Sequence, residues 1–542
     1  MCSRGAARDL VMFDCGCLAL RPCGRPPGSC ARMSVRTQAI LGGCDGIAQA
    51  RRSARGHVPE DVRNVMVKAL SQTPCLNGCI LPASAVRVLN TLESAGLEAW
   101  VVGGWVRDAL RGTSGHDVDI CCSGTWQENE HVLAEAGIAV VESGIKFGGI
   151  TAVMDGERIE VTTYRLDGFY SDGRHPESVR FTRDVTEDLA RRDFTVNAMA
   201  WHPVRGLLDL YGGEEDLERG VIRAVGEPRR RFEEDALRML RAVRFACRLN
   251  FSIEPATAQA LAECAPLLDA VARERVGVEL TGILATGRAG DALMRSPEVM
   301  CAAIPELAAC RGFDQHSPYH AYDVYEHTAR VLAAASSFAR NESSQGEQTD
   351  AVVPSLTLMW AALLHDVGKP ATYTQDAQGR GHFYGHPEVS ATMARHIMKR
   401  LAISSDIAQP ACSLIRWHDH PMRNTRADLL HGMHLFAGEA LGARRLTDEL
   451  FDLKRADTLG KDPSCFSYVD EIEAMRAHAH ALFDEGAAYS TKTLALTGRD
   501  LIAAGVEPGP RVGELLDRAL NACMNGVVAN STADLLAYLE LA

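Results

Sequence analysis

The chain has 542 residues, 46% of them hydrophobic and 23% charged, with a formal net charge of −13. That length exceeds one ordinary core and implies several domains, and the acidic balance excludes general adhesion to polyanions, so nucleic-acid contact has to come from local basic surface. No stretch reaches the roughly 18 uninterrupted apolar residues of a membrane span, and the 17 cysteines are scattered through aliphatic segments rather than laid out as a disulfide framework, which fits a reducing, cytoplasmic setting.

The first sixty residues carry nine arginines, six cysteines and only four acidic residues. They have no sustained helical or strand period, so residues 1–65 are read as a disordered or over-extended N-terminus, with Met66 as the alternative start. A transit peptide is the competing reading, against which stand the missing amphipathic repeat and the few serines. Cys15 and Cys17, or Cys75 and Cys79, lack a second pair at zinc-site spacing.

Order begins near Ser84. Val86, Leu89, Leu92 and Leu97 predict a helix leading into a buried strand, Ala99–Val102, which Gly103 and Gly104 end. Val106–Leu110 reads as a helical turn. Val118 and Ile120 alternate with Asp117 and Asp119, predicting a strand whose two aspartates share one face, since side chains repeat every second residue. Two further strands are expected at Gly149–Met154 and Arg158–Thr163. The pattern is a small mixed sheet with helices, and no Gly-x-Gly-x-x-Gly opens a helix. From Phe232 onward amphipathic helical patterns dominate.

Two carboxylates on one strand face repel unless a cation lies between them, and Mg²⁺ typically takes one or two carboxylates plus substrate phosphates. Paired glycines let backbone N–H groups approach an anion. Together they describe a site for a metal-bound nucleoside triphosphate, with Arg107 on phosphate and Asp108 orienting that arginine or the sugar. Taken singly, each motif also reads as a solvated strand edge or a plain turn.

Gly103-Gly104-x-Val106-Arg107-Asp108 followed by Asp117-x-Asp119 resembles the head of the nucleotidyltransferase superfamily. "DLARRDFTVNAMAW" (188–201), "DLYGGEEDLERGVIRAVGEP" (209–228) and "RFEEDALRMLRAVRFACRLNF" (231–251) narrow the resemblance to bacterial class II tRNA nucleotidyltransferases, the CCA-adding enzymes and their poly(A) polymerase relatives. It runs from about residue 85 to the C-terminus. The resemblance implies that Asp117 and Asp119 are the metal-binding catalytic pair, and Glu160, placed on a neighbouring strand, reads either as a third assisting carboxylate or as one half of a strand salt bridge. The resemblance also implies that Arg192, Asp193 and Asn197 belong to the nucleotide site. Glu234, Asp235 and Arg238 match a helix that selects CTP and then ATP by imitating base pairing. Three residues within one helical turn can present an acceptor and a donor fork to a base edge. Glu234 would brace the arginine, and Arg241, Arg244 and Arg248 extend a basic stripe suited to a phosphate backbone.

Downstream, His327, His365, Asp366, His386, His418 and Asp457 resemble the HD superfamily of metal-dependent phosphohydrolases. Their nitrogen and carboxylate donors suit a transition metal such as Mn, Ni, Co or Fe. The domain persists in relatives either as an enzyme or as a scaffold, and both readings stay open. Residues 345–350 read as a surface insertion. Leu494–Leu520 resembles the family's helical tail, where Pro508-Gly509-Pro510 either presents Arg511 to a phosphate or merely connects helices.

The expected architecture is α+β, a small mixed-sheet nucleotidyltransferase head followed by an all-helical neck, body and tail. The boundaries are 80–220 for the catalytic head, 221–310 for a nucleotide-selecting neck, 311–460 for the HD domain and 461–542 for the tRNA-binding tail. The expected function is Mg²⁺-dependent CCA addition to the tRNA 3′ end from CTP and ATP, by a monomer or homodimer. A CC-only or A-only enzyme and a poly(A) polymerase are the alternatives. The loop region 165–184 governs the first, and the short acidic end "STADLLAYLELA" weighs against the second.

Overall fold

The computed structural model describes residues 74–113, 115, 117–167, 179–317, 321–338 and 354–541. The readings of residues 1–65, Met66, the 345–350 insertion and the middle of the 165–184 loop lie outside the described residues. All described residues belong to one unit of the chain, residues 60–542.

Helix α1 (Ala83–Ser94) turns Ala85, Val88, Leu89 and Leu92 inward at full burial. Each fully buried leucine or valine contributes about 2 kcal/mol of apolar transfer. Leu97 lies beyond the helix, where its N–H bonds to the Leu92 carbonyl and closes the turn. A seven-stranded mixed sheet follows, built from β1 (Ala99–Val102), β2 (Asp119–Cys122), β3 (Ala139–Glu142), β4 (Gly149–Met154), β5 (Glu157–Thr163), β6 (Met199–His202) and β7 (Gly206–Asp209). Its spatial order is β7-β6-β1-β2-β5-β4-β3, and β2 and β5 run parallel. Alternation sends Val101, Ile120 and Val161 into the main core, while Trp100, Val102 and Cys121 pack with Tyr164 and Leu189 on the opposite face.

The second strand starts two residues later than its alternation predicts. Asp117 is exposed and precedes β2, and only Asp119 is a strand residue. Between β1 and helix α2 (Gly104–Leu110), Gly103 takes φ 73°, ψ −135°, a conformation essentially reserved for glycine.

The neck corrects a second expectation. Glu234, Asp235 and Arg238 do not share one helix: α3 (Pro228–Glu234) ends at Glu234, and α4 (Leu237–Leu249) begins after a break. Asp235 sits extended at φ −145°, ψ 103°, and its Oδ1 accepts from the Leu237 N–H. A short acidic side chain competing for nearby backbone donors is a physical reason for the interruption.

Helix α5 (Arg273–Leu284) crosses α4 and also meets the next domain. A Cβ on Gly277 would stand 2.1 Å from the Leu401 carbonyl oxygen, so only glycine lets the two backbones touch. The HD region is helical: α6 (Val324–Ser336), α7 (Leu356–Leu364), α8 (His386–Arg400), α9 (Ser405–Trp417) and α10 (Ala443–Gly460). The tail adds Tyr468–Asp484, Gly498–Ala503, Pro510–Met524 and Thr532–Tyr538, all helical. Pro510 opens its helix at the first turn, as a residue without an N–H suits, and exposed Arg511 pairs with Glu514 at 3.3 Å.

Candidate active site and HD metal centre

A cleft of about 730 Å³ opens where the head meets the neck. It is lined by nine arginines (107, 165, 191, 192, 238, 241, 244, 248 and 275) against six carboxylates (Asp108, Asp117, Asp119, Asp193, Asp235 and Glu160). The chain as a whole is acidic, so this lining concentrates its positive charge where an anion can enter.

Asp119 and Glu160 are register partners on β2 and β5, with Asp117 just outside the strand. A Cβ on Gly103 would lie 3.3 Å from Asp119 Oδ2 and 3.7 Å from Arg192 Nη1. The glycine turn, the acidic pair and Arg192 therefore share one corner. Burial, then Glu160 and Asp117, push the Asp119 carboxyl up to about 6, against the pull of Arg192. Under-compensated negative charge of this kind is what a divalent cation relieves, so the residues present fit one.

Several residues expected on substrate are engaged with each other. Arg107 is buried and spends its fork on Asp108, at 2.8 Å to each oxygen, and on Asn197 Oδ1 at 2.8 Å. Its fork thus ties Asp108 to Asn197 across the head. Asn197 donates to Asp193 Oδ1 at 3.2 Å, so its amide is taken by protein on both sides. Asp193 Oδ2 accepts from Arg241 Nε at 2.9 Å and Nη2 at 2.7 Å. Burial pushes the Asp193 carboxyl up, but Arg241 and Asn197 outweigh it and hold it below the usual carboxylate range. The basic stripe is likewise partly neutralised: Arg244 bonds to buried Glu279 at 2.6 Å, and Arg241 stands 3.9 Å from the same carboxylate. Arg248 is exposed and makes no ion pair among the described residues.

At the helix break Glu234 Oε2 accepts from Arg238 Nη1 at 2.8 Å. The Arg191 and Arg231 carbonyls accept the remaining bonds seen on that fork, at 3.0 and 3.2 Å. Asp235 Oδ2 pairs with Arg275 Nη2 on α5 at 3.0 Å. The acceptor and the donor fork face one cleft, each held by a neighbour.

The sequence reading missed three supports. Fully buried Asp188 accepts from Arg191 and Arg192 at 2.6 and 3.2 Å and from the Arg165 N–H at 3.2 Å. Burial pushes its carboxyl up, and the two arginines bring it below the ordinary range. Its spacing from them, three and four residues on a helical segment, was the available signal. Arg275 and Glu279 lie some forty residues from their partners, and nothing local announces them.

All six HD residues converge. His327, His365, Asp366 and Asp457 form one group able to hold an ion, and Asp366, His386 and His418 form another, with Asp366 common to both. Nε2 of His365 lies 3.3 Å from Nε2 of His327, and Nε2 of His386 lies 3.3 Å from that of His418. The remaining ring nitrogens are fixed by backbone carbonyls: Gly460 for His327, Ala362 for His365, Phe383 for His386 and Ile415 for His418. Such outer bonds turn each Nε2 toward the Asp366 carboxylate, which lies 3.2 Å from His365, 3.3 Å from His327, 3.4 Å from His386 and 3.7 Å from His418. Despite burial, the Asp366 carboxyl is held well below its ordinary range by His365 and Lys369, and that of Asp457 by Lys461 and His327. Lys369 Nζ reaches Asp366 Oδ2 at 2.6 Å and Gln315 Oε1 at 2.9 Å. Lys454, its ammonium pulled down to about 8 by burial, donates to the His418 and His420 carbonyls at 2.7 and 2.8 Å.

Among known families, the Poly A polymerase head domain matches residues 99–223 and the HD domain residues 324–462. The family described as "Probable RNA and SrmB-binding site of polymerase A" matches residues 250–310, and that described as "tRNA nucleotidyltransferase domain 2 putative" matches residues 469–539. The CCA-adding enzyme of Levilactobacillus brevis is 31% identical over 450 residues, 83% of this chain and 95% of its own length. The solved structure of the Bacillus stearothermophilus CCA-adding enzyme in complex with CTP is 27% identical, with a TM-score of 0.61 over 84% of this chain and 96% of that one. The Thermotoga maritima CCA-adding enzyme complexed with tRNA, 19% identical, shares the fold at a TM-score of 0.55 over 88% and 98% of the two chains. Divalent metal use accompanies the nucleotidyltransferase head, and no helix among the described residues is long and apolar enough to cross a membrane. With a head, a neck, an HD region and a tail in this order, the chain belongs to the CCA-adding enzyme family.

Proposed function

We propose that this chain adds C, C and A to the 3′ end of tRNA in the cytoplasm, taking CTP and ATP and releasing pyrophosphate without a nucleic-acid template. The observation that carries the reading is one cleft uniting the Asp117, Asp119 and Glu160 carboxylates with the base-reading pair Asp235 and Arg238. Asp117 and Asp119 hold Mg²⁺, and Glu160 adds a third carboxylate beside them. Bound Mg²⁺ supplies charge neutralisation at the triphosphate and a more acidic 3′-hydroxyl. Gly103 and Gly104 admit the triphosphate against bare backbone, and Arg192, held by Asp188, faces it. Asp235 accepts from, and Arg238 donates to, the base edge. Glu234 and Arg275 keep those two groups aimed, and Arg241 with Asp193 and Asn197 ties the neck to the head, with Arg107 holding Asp108. Transfer then depends on positioning and charge stabilisation. In this reading the head spans 80–220, the neck 221–310, the HD domain 311–460 and the tail, which grips the tRNA body, 461–542.

The HD centre is a second, phosphoester-hydrolysing site. Four histidines and two aspartates support a divalent transition metal, of which Mn, Ni, Co and Fe suit the donors. The sharing of Asp366 between two ligand groups favours two ions rather than one.

The test is incorporation into a tRNA transcript lacking its CCA, by wild type and by Asp117→Ala/Asp119→Ala, with CTP, ATP or both, followed by sequencing of the ends. Three nucleotides added by wild type and none by the variant is the expected result. CC alone, A alone or a long A tract replaces the reading with the enzyme it names.

A further inference from the structure

We infer that Lys461 is the residue through which the HD centre binds the phosphoryl group of its substrate, an inference that rests on the metal-centre reading above. Exposure around the centre is one-sided. The side chains of His327, His365, Asp366, His386 and His418 are at most 8% exposed, whereas Asp457 is 13% and Lys461 24% exposed. An anion arriving from water therefore meets the Asp457–Lys461 edge first.

The geometry of that edge joins the lysine to the ligand group. Asp457 turns Oδ1 toward His327 Nε2 at 3.1 Å and Oδ2 toward Lys461 Nζ at 2.6 Å. One carboxylate is thus shared between the ligand cluster and the ammonium, so the ammonium lies within reach of whatever binds at the centre. The other two lysines are committed elsewhere. Lys369 is 7% exposed and fixed between Asp366 and Gln315, and Lys454 is spent on backbone carbonyls. Lys461 makes one ion pair among the described residues, and an ammonium carries three donors.

Charge points the same way. The carboxylates about the centre, Asp366, Asp457 and nearby Asp419, are matched by Lys369, Lys461 and Lys454, so these groups carry no net charge. Divalent ions leave the centre positive, and a phosphoester oxygen is the complement such a site takes. An ordinary surface pair four residues apart would be open to solvent on both partners and worth little. Here the carboxylate is a candidate ligand, and the lysine stands just past the end of α10 at the centre's open side.

The test uses the full chain loaded with Mn²⁺, comparing wild type with Lys461→Gln and Lys461→Arg, and repeats the metal and phosphate measurements on a background carrying Asp117→Ala/Asp119→Ala, in which the polymerase cleft holds no ion. Metal content is read by elemental analysis, inorganic phosphate binding by calorimetry, and p-nitrophenyl phosphate hydrolysis as KM and kcat, with CCA addition as the check on folding. Lys461→Gln is expected to keep the Mn²⁺ stoichiometry and weaken phosphate binding and KM by about tenfold or more, the worth of one charge-assisted hydrogen bond. Lys461→Arg is expected to restore most of that loss. Phosphate bound by Lys461→Gln as tightly as by wild type overturns the assignment while leaving the metal centre standing. Lost Mn²⁺ in that variant also overturns it, making Lys461 a support for Asp457. An Asp117→Ala/Asp119→Ala chain that takes up no Mn²⁺ overturns the metal centre itself and the assignment with it.

Discussion

Asp119 gives the polymerase cleft a measurable pH dependence. Burial, Glu160 and Asp117 together move its carboxyl from the ordinary 3.8 to about 6. A carboxylate must be deprotonated to bind metal, so divalent affinity should be level above pH 7 and fall as pH drops through 6. One unit below that point only about a tenth of the carboxyls are ionised, giving about a tenfold loss at pH 5, whereas an ordinary aspartate would lose almost nothing there. Without metal, the folded state holds this proton in a range where the unfolded chain has released it. Stability therefore falls as pH rises from about 4 to about 6, by about 3 kcal/mol at most, and Asp119→Asn removes the penalty at neutral pH. The assay is Mn²⁺ titration by electron paramagnetic resonance between pH 5 and 8, on a chain also carrying Asp366→Asn to silence the HD centre. Glu160→Gln should move the bend to lower pH. Equal affinity at pH 5 and pH 7, or a bend that moves upward in Glu160→Gln, refutes the argument.

Gly103→Ala places a Cβ 3.3 Å from Asp119 Oδ2 at φ 73°. It should cost about 1–3 kcal/mol of local strain and lower the incorporation rate while tRNA affinity, measured by filter binding, stays unchanged. Glu234→Gln removes the charge that steadies Arg238 at 2.8 Å. Discrimination of CTP and ATP against UTP and GTP should then drop about tenfold, and competition assays showing wild-type selectivity would count against the bracing role. Asp366→Asn takes away the ligand common to both HD groups. Elemental analysis should show loss of the HD metal while CCA addition continues at the wild-type rate, and impaired addition would mean that the two centres are coupled.

Four of the seven sheet strands of the head were legible because their signals are local, whereas Ala139–Glu142, Met199–His202 and Gly206–Asp209 were not named. Two glycines after a buried run, alternation through Val118 and Ile120, and the apolar runs at Gly149–Met154 and Arg158–Thr163 all depend on neighbours along the chain. The six HD residues were legible only through resemblance, since they are spread from 327 to 457. What the sequence hid was the competition among charged groups. Arg107 reads as a phosphate ligand until the fold shows Asp108 and Asn197 within 2.8 Å of it. The Glu234, Asp235 and Arg238 triplet fits helical spacing, but Asp235 prefers to accept from the Leu237 N–H and breaks the helix. Arg275 and Glu279 act across the α4–α5 crossing, which no periodicity encodes.

Helix α5 carries Arg275 and Glu279 toward the nucleotide cleft and lays Gly277 against Leu401, the residue that ends α8. One turn of helix thus serves two chemistries that need not communicate. Without the HD helices the strip around Gly277 would be bare, while the packing of α5 on α4 would remain. The HD helices therefore back the same turn of helix that holds Asp235 and Arg244, so a change in their packing at Leu401 reaches the cleft through backbone rather than through any ligand of the HD cluster.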